Sequence, residues 1–174
     1  MTAEIEEDIY KLKIILAGEG AVGKTTLINR FITGSFSGDY QATIGVAIFS
    51  KRIMFNGNDV RLQIWDIAGQ TLFKEFRKRF FAQARGAILV FDVTVPQTLD
   101  SLHTWIDDIH GVTGEIPLIL LGNKVDLTNL TAITSEEIDE FLANHSYIKA
   151  NFLTSALTGK KVEESFSNLV SLMI

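Results

Sequence analysis

Cysteine is missing from all 174 positions of the chain, so the sequence excludes disulfide bonds and thiolate metal sites. No apolar run approaches the roughly 18 residues that a membrane-spanning helix needs. An excess of basic residues is also missing: the net charge is −5, whereas proteins that bind the phosphate backbone of nucleic acids carry a basic face. We therefore expect no membrane span and no nucleic-acid partner.

Targeting and lipidation signals are absent as well. No secretory segment opens the chain, no glycine follows Met1, and no cysteine lies near Ile174 for prenylation. These absences predict a cytoplasmic protein in a reducing compartment. They leave membrane association only to a lipidated tail missing from this chain or to a partner.

The composition is that of a globular domain. The chain is 47% hydrophobic and 21% charged, which is more apolar surface than disordered chains offer. We expect residues 1–174 to form one domain, with residues 1–9 as a flexible acidic tail and no second folding unit.

Short apolar runs alternate with longer amphipathic ones along the chain, which indicates alternating strands and helices. Asn56-Gly57 is a strong two-residue hairpin signal, since both positions must accept positive φ. The predicted strands are Leu12–Ala17, Val46–Phe55, Val60–Asp66, Ala87–Phe91, Leu118–Leu121 and Ile148–Leu153. The predicted helices are Lys24–Ile32, Leu72–Ala84, Leu99–His110, Ser135–Ala143 and Val162–Met173.

This order predicts an α/β fold with a doubly wound, six-stranded, mostly parallel sheet. Only the hairpin makes one strand antiparallel, and right-handed crossovers place helices on both faces. Sheets of this kind bind ligands outside the carboxyl ends of their strands, so the site is expected there.

The stretch GEGAVGKT, residues 18–25, has the pattern of a phosphate-binding loop between a strand and a helix. Gly20 and Gly23 allow the backbone to approach an anion, and the amide hydrogens with the helix N-terminus supply partial positive charge. Lys24 adds a full charge, and the Thr25 hydroxyl can ligate magnesium. A glycine-rich turn with a chance lysine is the alternative. The predicted phosphate-binding residues are Gly20, Ala21, Val22, Gly23, Lys24, Thr25 and Thr26.

The stretch LLGNKVDL, residues 120–127, selects the base. Asp126 offers two acceptor oxygens that fit the two adjacent donors on the edge of guanine, and adenine shows no such pair. Asn123 can donate to the base and tie its loop to the phosphate side, while the stem of Lys124 can cover one face of the ring. In isolation the same four residues could be a polar turn.

A third motif, IWDIAGQT at residues 64–71, lies between the other two. Asp66 can hold magnesium through water, the Gly69 amide can sense the terminal phosphate, and the Gln70 amide can orient an attacking water. The alternatives are a capping role for Asp66 and an exposed loop position for Gln70.

With these motifs in this order, the chain resembles the Ras superfamily of small GTPases, most closely its Rab and Ras branches, from about Lys11 to Leu172. The resemblance implies the P-loop NTPase fold. In QATIGV, residues 41–46, it implies that Thr43 meets magnesium and the γ phosphate. It also implies that Phe36 packs edge-on against guanine and that Tyr40 closes over the phosphates.

The stretch TSALTG, residues 154–159, resembles the last base-binding loop of the family. The resemblance implies that Ser155, Ala156 and Leu157 lie at the base and that the Ala156 amide donates to the guanine oxygen. Leu157 departs from the family pattern, which has a lysine there. A backbone contact survives this change, whereas a side-chain stacking contact does not.

The resemblance implies slow GTP hydrolysis, with Lys24, Thr43, Gly69 and Gln70 at the reacting phosphate and with Thr25, Thr43 and Asp66 on magnesium. It also implies a monomer that meets an exchange factor, a GTPase-activating protein and effectors through residues 36–49 and 66–81. A GTP-binding module with little hydrolysis is one alternative, and an ATP-using P-loop enzyme is another.

The segment LFKEFRKRFF, residues 72–81, is unusually aromatic and basic. Phe73, Phe76 and Phe80 would share one face of a helix. They would then either pack on the sheet or form a partner surface.

Overall fold

The computed structural model of the protein describes residues 9–39, 41–70 and 74–174. The predicted roles of Tyr40 and Phe73 therefore lie outside the described residues, as does the acidic stretch up to residue 8.

Six strands form one sheet in the order β2-β3-β1-β4-β5-β6. Every neighbouring pair is parallel except β2 and β3, which are antiparallel. This confirms the predicted fold class. The strands are β1 (Tyr10–Ala17), β2 (Val46–Phe55), β3 (Asn58–Ile67), β4 (Gly86–Asp92), β5 (Leu118–Asn123) and β6 (Ile148–Leu153).

The hairpin between β2 and β3 turns at the predicted dipeptide. Asn56 has a φ of 49° and Gly57 a φ of 80°, the two positive values that a type I′ turn requires. The turn sets the register, in which Phe55 pairs with Asn58 and Val46 with Ile67.

Helices cover both faces of the sheet. On one face α1 (Lys24–Thr33) and α6 (Val162–Met173) pack together through the stacked rings of Phe31 and Phe166, whose centroids are 4.0 Å apart. On the other face α4 buries Trp105 beside Phe81. None of the helices in the described ranges is long and apolar enough to cross a bilayer. The helices are α1 (Lys24–Thr33), α2 (Lys74–Arg77), α3 (Gln97–Asp100), α4 (Leu102–Thr113), α5 (Ser135–Ala143) and α6 (Val162–Met173).

The predicted helix Leu72–Ala84 is wrong. Its described part consists of the single turn α2 and a 3-10 turn over Lys78–Phe80. Gln83 then has a φ of 64°, a left-handed value that no α-helix continues through. The segment is held instead by Arg77, whose buried guanidinium bonds Asp108 of α4.

The predicted helix Leu99–His110 is also wrong in its bounds. Helical structure begins earlier, at Gln97 directly after Pro96, and breaks at Ser101 before α4. The Ser101 hydroxyl donates to the Thr98 carbonyl at 3.0 Å, a local bond of the kind that competes with a regular helix. The helix α4 ends at Thr113 because Gly114 has a φ of 71°.

Candidate functional site

Four loops meet at one edge of the sheet. They follow Ala17 of β1, Ile67 of β3, Asn123 of β5 and Leu153 of β6. These strands run parallel, so their carboxyl ends share this edge, which is where doubly wound sheets bind ligands.

The backbone of the loop after β1 has positive φ at three positions, two of them glycines. Gly18 has a φ of 146°, Gly23 a φ of 103° and Ala21 a φ of 65°. A Cβ atom at Gly23 would lie 2.4 Å from Asn123 Nδ2, so glycine is required where this loop meets the base loop. A Cβ at Gly20 would meet nothing within 4 Å, so protein packing alone does not explain that glycine. The requirement at Gly18, where a Cβ would lie 2.2 Å from the Val90 carbonyl oxygen, was missed by the sequence reasoning.

Lys24 is the buried cation of this loop, with 6% of its surface exposed. Its ammonium donates to the carbonyl oxygens of Gly18 at 2.7 Å and Glu19 at 2.8 Å. Burial lowers its pKa to about 8, although the negative charges of Asp66 and Glu19 oppose the shift. The lysine is thus a desolvated charge that a phosphate would stabilise.

Three oxygen-bearing side chains converge beside Lys24. The Oδ2 atom of Asp66 accepts hydrogen bonds from Thr25 and from Thr43, the latter at 3.2 Å. The two threonine hydroxyls are 2.7 Å apart. Asp66 is fully buried, and its Oδ1 atom has no hydrogen-bond partner within the described residues. A buried carboxylate with one unsatisfied oxygen and two hydroxyls is a donor set that fits a hard divalent cation such as magnesium.

Gly69 packs directly on the phosphate loop. A Cβ atom at this position would lie 2.3 Å from Gly20 N and 2.5 Å from Gly18 O, so only glycine permits the contact. The side chain of the following Gln70 is exposed at the same edge. The structure therefore brings the third motif against the first.

Two adjoining cavities receive most of the predicted residues. One, of about 210 Å³, contains base-loop residues, and the other, of about 40 Å³, contains phosphate-loop residues. Gly23 and Thr26 line both. The larger cavity is lined by Gly23, Thr26, Phe36, Asn123, Lys124, Asp126, Leu127, Ala156 and Leu157. The smaller is lined by Ala21, Gly23, Lys24, Thr25, Thr26, Gln41, Thr43 and Gly69.

Two side chains of the loop after β5, which we call the base loop, donate hydrogen bonds to the phosphate loop, residues 18–25. Asn123 is buried and donates from Nδ2 to the Val22 carbonyl at 3.0 Å. Lys124, with a φ of 71°, donates to the Ala21 carbonyl at 2.6 Å and pairs with Asp92 at 2.7 Å. Burial raises the pKa of Asp92, but the hydrogen bonds from Lys124 and Thr94 outweigh it and lower the pKa.

Asp126 is positioned by the last loop. The Ser155 hydroxyl donates to Asp126 Oδ1 at 2.7 Å and accepts from the Thr158 amide at 3.1 Å. Ser155 is buried, which fixes the direction of its hydroxyl. One oxygen of Asp126 is thus held in place while the residue lines the larger cavity.

Arg30 also contributes to the site, although no local sequence pattern indicates this role. From α1 it donates to the carbonyl oxygens of Leu157 at 3.3 Å and Thr158 at 3.0 Å. It therefore holds the last loop at Leu157, the position at which the resemblance implies a lysine. The Leu157 side chain is 48% exposed at the cavity wall.

Two aromatic residues of the predicted partner segment 66–81 have different environments. One packs on the sheet and the other is exposed, as a partner surface would require. Phe80 packs against the sheet, with its ring centroid 6.3 Å from that of Trp65. Phe76 is 51% exposed, with the Arg79 guanidinium 5.4 Å from its ring centroid.

Comparison with known proteins agrees with this geometry. The Ras family profile matches residues 13–174. Ras-related protein RABA4d of Arabidopsis thaliana is 36% identical over 163 residues, covering 93% of this chain and 72% of that protein. GTP-binding protein ypt4 of Schizosaccharomyces pombe is 36% identical over 170 residues (95% and 72%). Ras-related protein Rab-11A of Dictyostelium discoideum is 35% identical over 168 residues (95% and 77%).

The sheet order and the strand-to-helix phosphate loop define the fold as that of a P-loop NTPase. Within that class, the chain belongs to the Ras family. It is a small GTPase, a molecular switch that binds guanine nucleotides and hydrolyses GTP, and its Rab-named relatives confirm the predicted resemblance.

Proposed function

We propose that the two adjoining cavities bind one GTP molecule, with the base in the larger and the phosphates in the smaller. The observation that carries this proposal is the convergence, beside the buried Lys24, of the Asp66 carboxylate and the Thr25 and Thr43 hydroxyls. Asp126 lines the larger cavity, and its carboxylate would read the guanine edge. Each carboxylate oxygen can accept more than one hydrogen bond, so the bond from Ser155 to Oδ1 still leaves both oxygens able to accept from the two guanine donors.

The residues around the smaller cavity would have separate roles in GTP hydrolysis. Lys24 would exchange its two carbonyl partners for the β and γ phosphate oxygens, and the amides of residues 20–26 would surround the phosphates. Thr25, Thr43 and Asp66 would hold magnesium, which supplies neutralisation of phosphate charge when bound. Gly69 would donate its amide to the γ phosphate, and Gln70 would align the attacking water.

The contact of Gly69 with the phosphate loop also supports a switch. Loss of the γ phosphate would remove the bonds that order residues around Thr43 and Gly69, and both segments would relax. Effectors, an exchange factor and a GTPase-activating protein would read these states through residues 36–49 and 66–81. The exposed Phe76 fits such a contact.

The relatives support a proposal for the cellular setting. Their Rab names favour a role in vesicle trafficking. We propose that residues 1–174 act as a single monomeric domain in the cytoplasm. A lipidated tail or a partner would bring it to a membrane.

Single-turnover hydrolysis with Gln70→Leu tests the proposal. GTP binding should be retained and hydrolysis should fall, because the leucine cannot orient water. Gln97→Leu, an exposed glutamine at the start of α3, is the matched control and should hydrolyse GTP at the wild-type rate. Equal rates for Gln70→Leu and wild type would remove Gln70 from catalysis. Absence of turnover in the wild type, even with cell extract, would favour a GTP-binding module.

A further inference from the structure

A basic groove of about 460 Å³ lies away from the nucleotide site. Four cations line it, namely Lys11, Lys13, Arg61 and Arg85, together with two glutamines, and no carboxylate of the described residues is among its lining. The chain as a whole carries a net charge of −5, so this groove concentrates positive charge on an acidic protein. Such a concentration attracts anionic groups over distances longer than a single contact.

Backbone pairing places the four cations together. In the parallel register of β1 and β3, Lys11 pairs with Arg61 and Lys13 with Gln63. Residues two apart on a strand share a face, so these side chains project on one side of the sheet. The Arg85 amide donates to the Lys13 carbonyl at 2.8 Å, which places Arg85 beside Lys13 at the edge of the groove. The walls are therefore held by main-chain bonds.

The cations of the groove form no direct ion pair with a carboxylate of residues 9–39, 41–70 or 74–174. Lys13 donates to the Ala82 carbonyl at 2.8 Å and lies 3.7 Å from the Trp65 ring centroid, both neutral partners. The Asp59 carboxylate acts on Arg61 only through space, since its hydrogen bonds, one of them 2.8 Å long, come from Arg52. Burial lowers the pKa of Lys13, a cost that a docked carboxylate would reduce.

We propose that the groove binds the protein's own acidic N-terminal segment, residues 4–8. This segment carries four carboxylates, Glu4, Glu6, Glu7 and Asp8, against the four cations. The strand β1 begins at Tyr10, two residues after the end of this segment, and five residues can reach about 17 Å when extended. Tethering this close makes the effective concentration of the segment very high, so weak ion pairs suffice to favour the docked form. The proposal concerns a surface separate from the nucleotide site and does not depend on the proposed function.

The absence of cysteine allows a direct test on the full, nucleotide-loaded chain. Ala3→Cys carries a nitroxide label, and paramagnetic broadening of backbone amide signals is measured at Lys11, Lys13, Arg61 and Arg85. We expect strong broadening at low salt. It should be largely lost in 1 M NaCl, where the screening length falls to about 3 Å from about 10 Å at 0.1 M. Asn129→Cys, on the carboxyl edge of the sheet, is the control label and should leave these amides sharp.

Charge-reversal variants distinguish docking from mere nearness of a tethered tail. Lys11→Glu with Arg61→Glu should abolish the broadening at Lys13 and Arg85, whereas reversing two exposed lysines elsewhere, Lys149 and Lys160, should not. Adding Glu6→Lys and Glu7→Lys to the first variant should restore it. Broadening that is absent at low salt, or that persists after reversal of Lys11 and Arg61, would overturn the proposal.

Discussion

Raising the pH from 7 to 9 is expected to weaken nucleotide binding about tenfold through Lys24. The pKa of this lysine is lowered to about 8 by burial, so without nucleotide it is charged at pH 7 and mostly neutral at pH 9. Phosphate oxygens favour the charged form and raise the pKa, so binding above pH 8 must take up a proton. The apparent affinity is therefore proportional to the fraction of nucleotide-free protein in which Lys24 is charged. This fraction is about 0.9 at pH 7 and about 0.1 at pH 9.

The stability of the nucleotide-free protein should change in the opposite direction. The pKa of Lys24 is lower in the folded protein than the ordinary value of 10.5, so between about pH 8 and 10.5 the unfolded chain binds more protons. The contribution of Lys24 to the free energy of unfolding therefore rises through this window, by at most about 3 kcal/mol. Below pH 8 the charged, buried lysine remains a constant cost. Urea unfolding at pH 7, 8 and 9 measures this trend.

Isothermal titration calorimetry in buffers of different ionisation enthalpy measures both the affinity and the proton uptake. Glu19→Gln should move the inflection of the affinity-against-pH curve to lower pH, because the Glu19 charge raises the pKa of Lys24. Glu140→Gln, on the distant α5, should leave it in place. Equal affinities at pH 7 and pH 9 with no proton uptake would refute the assignment of Lys24 as the desolvated phosphate-binding cation.

Two substitutions test other parts of the structure. Asp126→Asn should weaken GTP binding by on the order of 10- to 100-fold and favour xanthosine nucleotides, because the amide cannot accept both guanine donors; unchanged GTP affinity in a displacement titration would refute the base assignment. Arg77→Leu should lower the free energy of unfolding by about 3 kcal/mol in urea, since among the described residues it leaves the buried carboxylate of Asp108 with Lys78 as its one cation. Adding Asp108→Leu should recover part of that loss, and strict additivity of the two changes would contradict a coupled pair.

Local chemistry made much of the fold predictable. The Asn56-Gly57 turn is decided by the backbone freedom of two residues, so β2 has the predicted bounds. Likewise, the helix α5 begins at Ser135 as predicted, because a capping box between Thr134 and Glu137 is written in neighbouring residues.

Contacts between distant segments were not predictable in the same way. The bonds from Arg30 to the loop after β6 and the pair of Lys124 with Asp92 join residues that no local pattern connects. The helix predicted over residues 72–84 had the right hydrophobic period, but the backbone of its described part, residues 74–84, follows the contact that Arg77 makes with Asp108. The conformation of this segment is therefore determined by tertiary contacts, which the hydrophobic period does not reveal.

We expect the larger cavity at the carboxyl edge of the sheet to select guanosine nucleotides through Asp126. A competition titration of fluorescent GDP with GTP and with ATP, in magnesium and at pH 7, tests it most directly. We expect GTP to displace the probe and ATP to require an excess on the order of 10⁴-fold, because adenine would leave the carboxylate without its donors. Displacement by ATP at the same concentration as GTP would contradict the account.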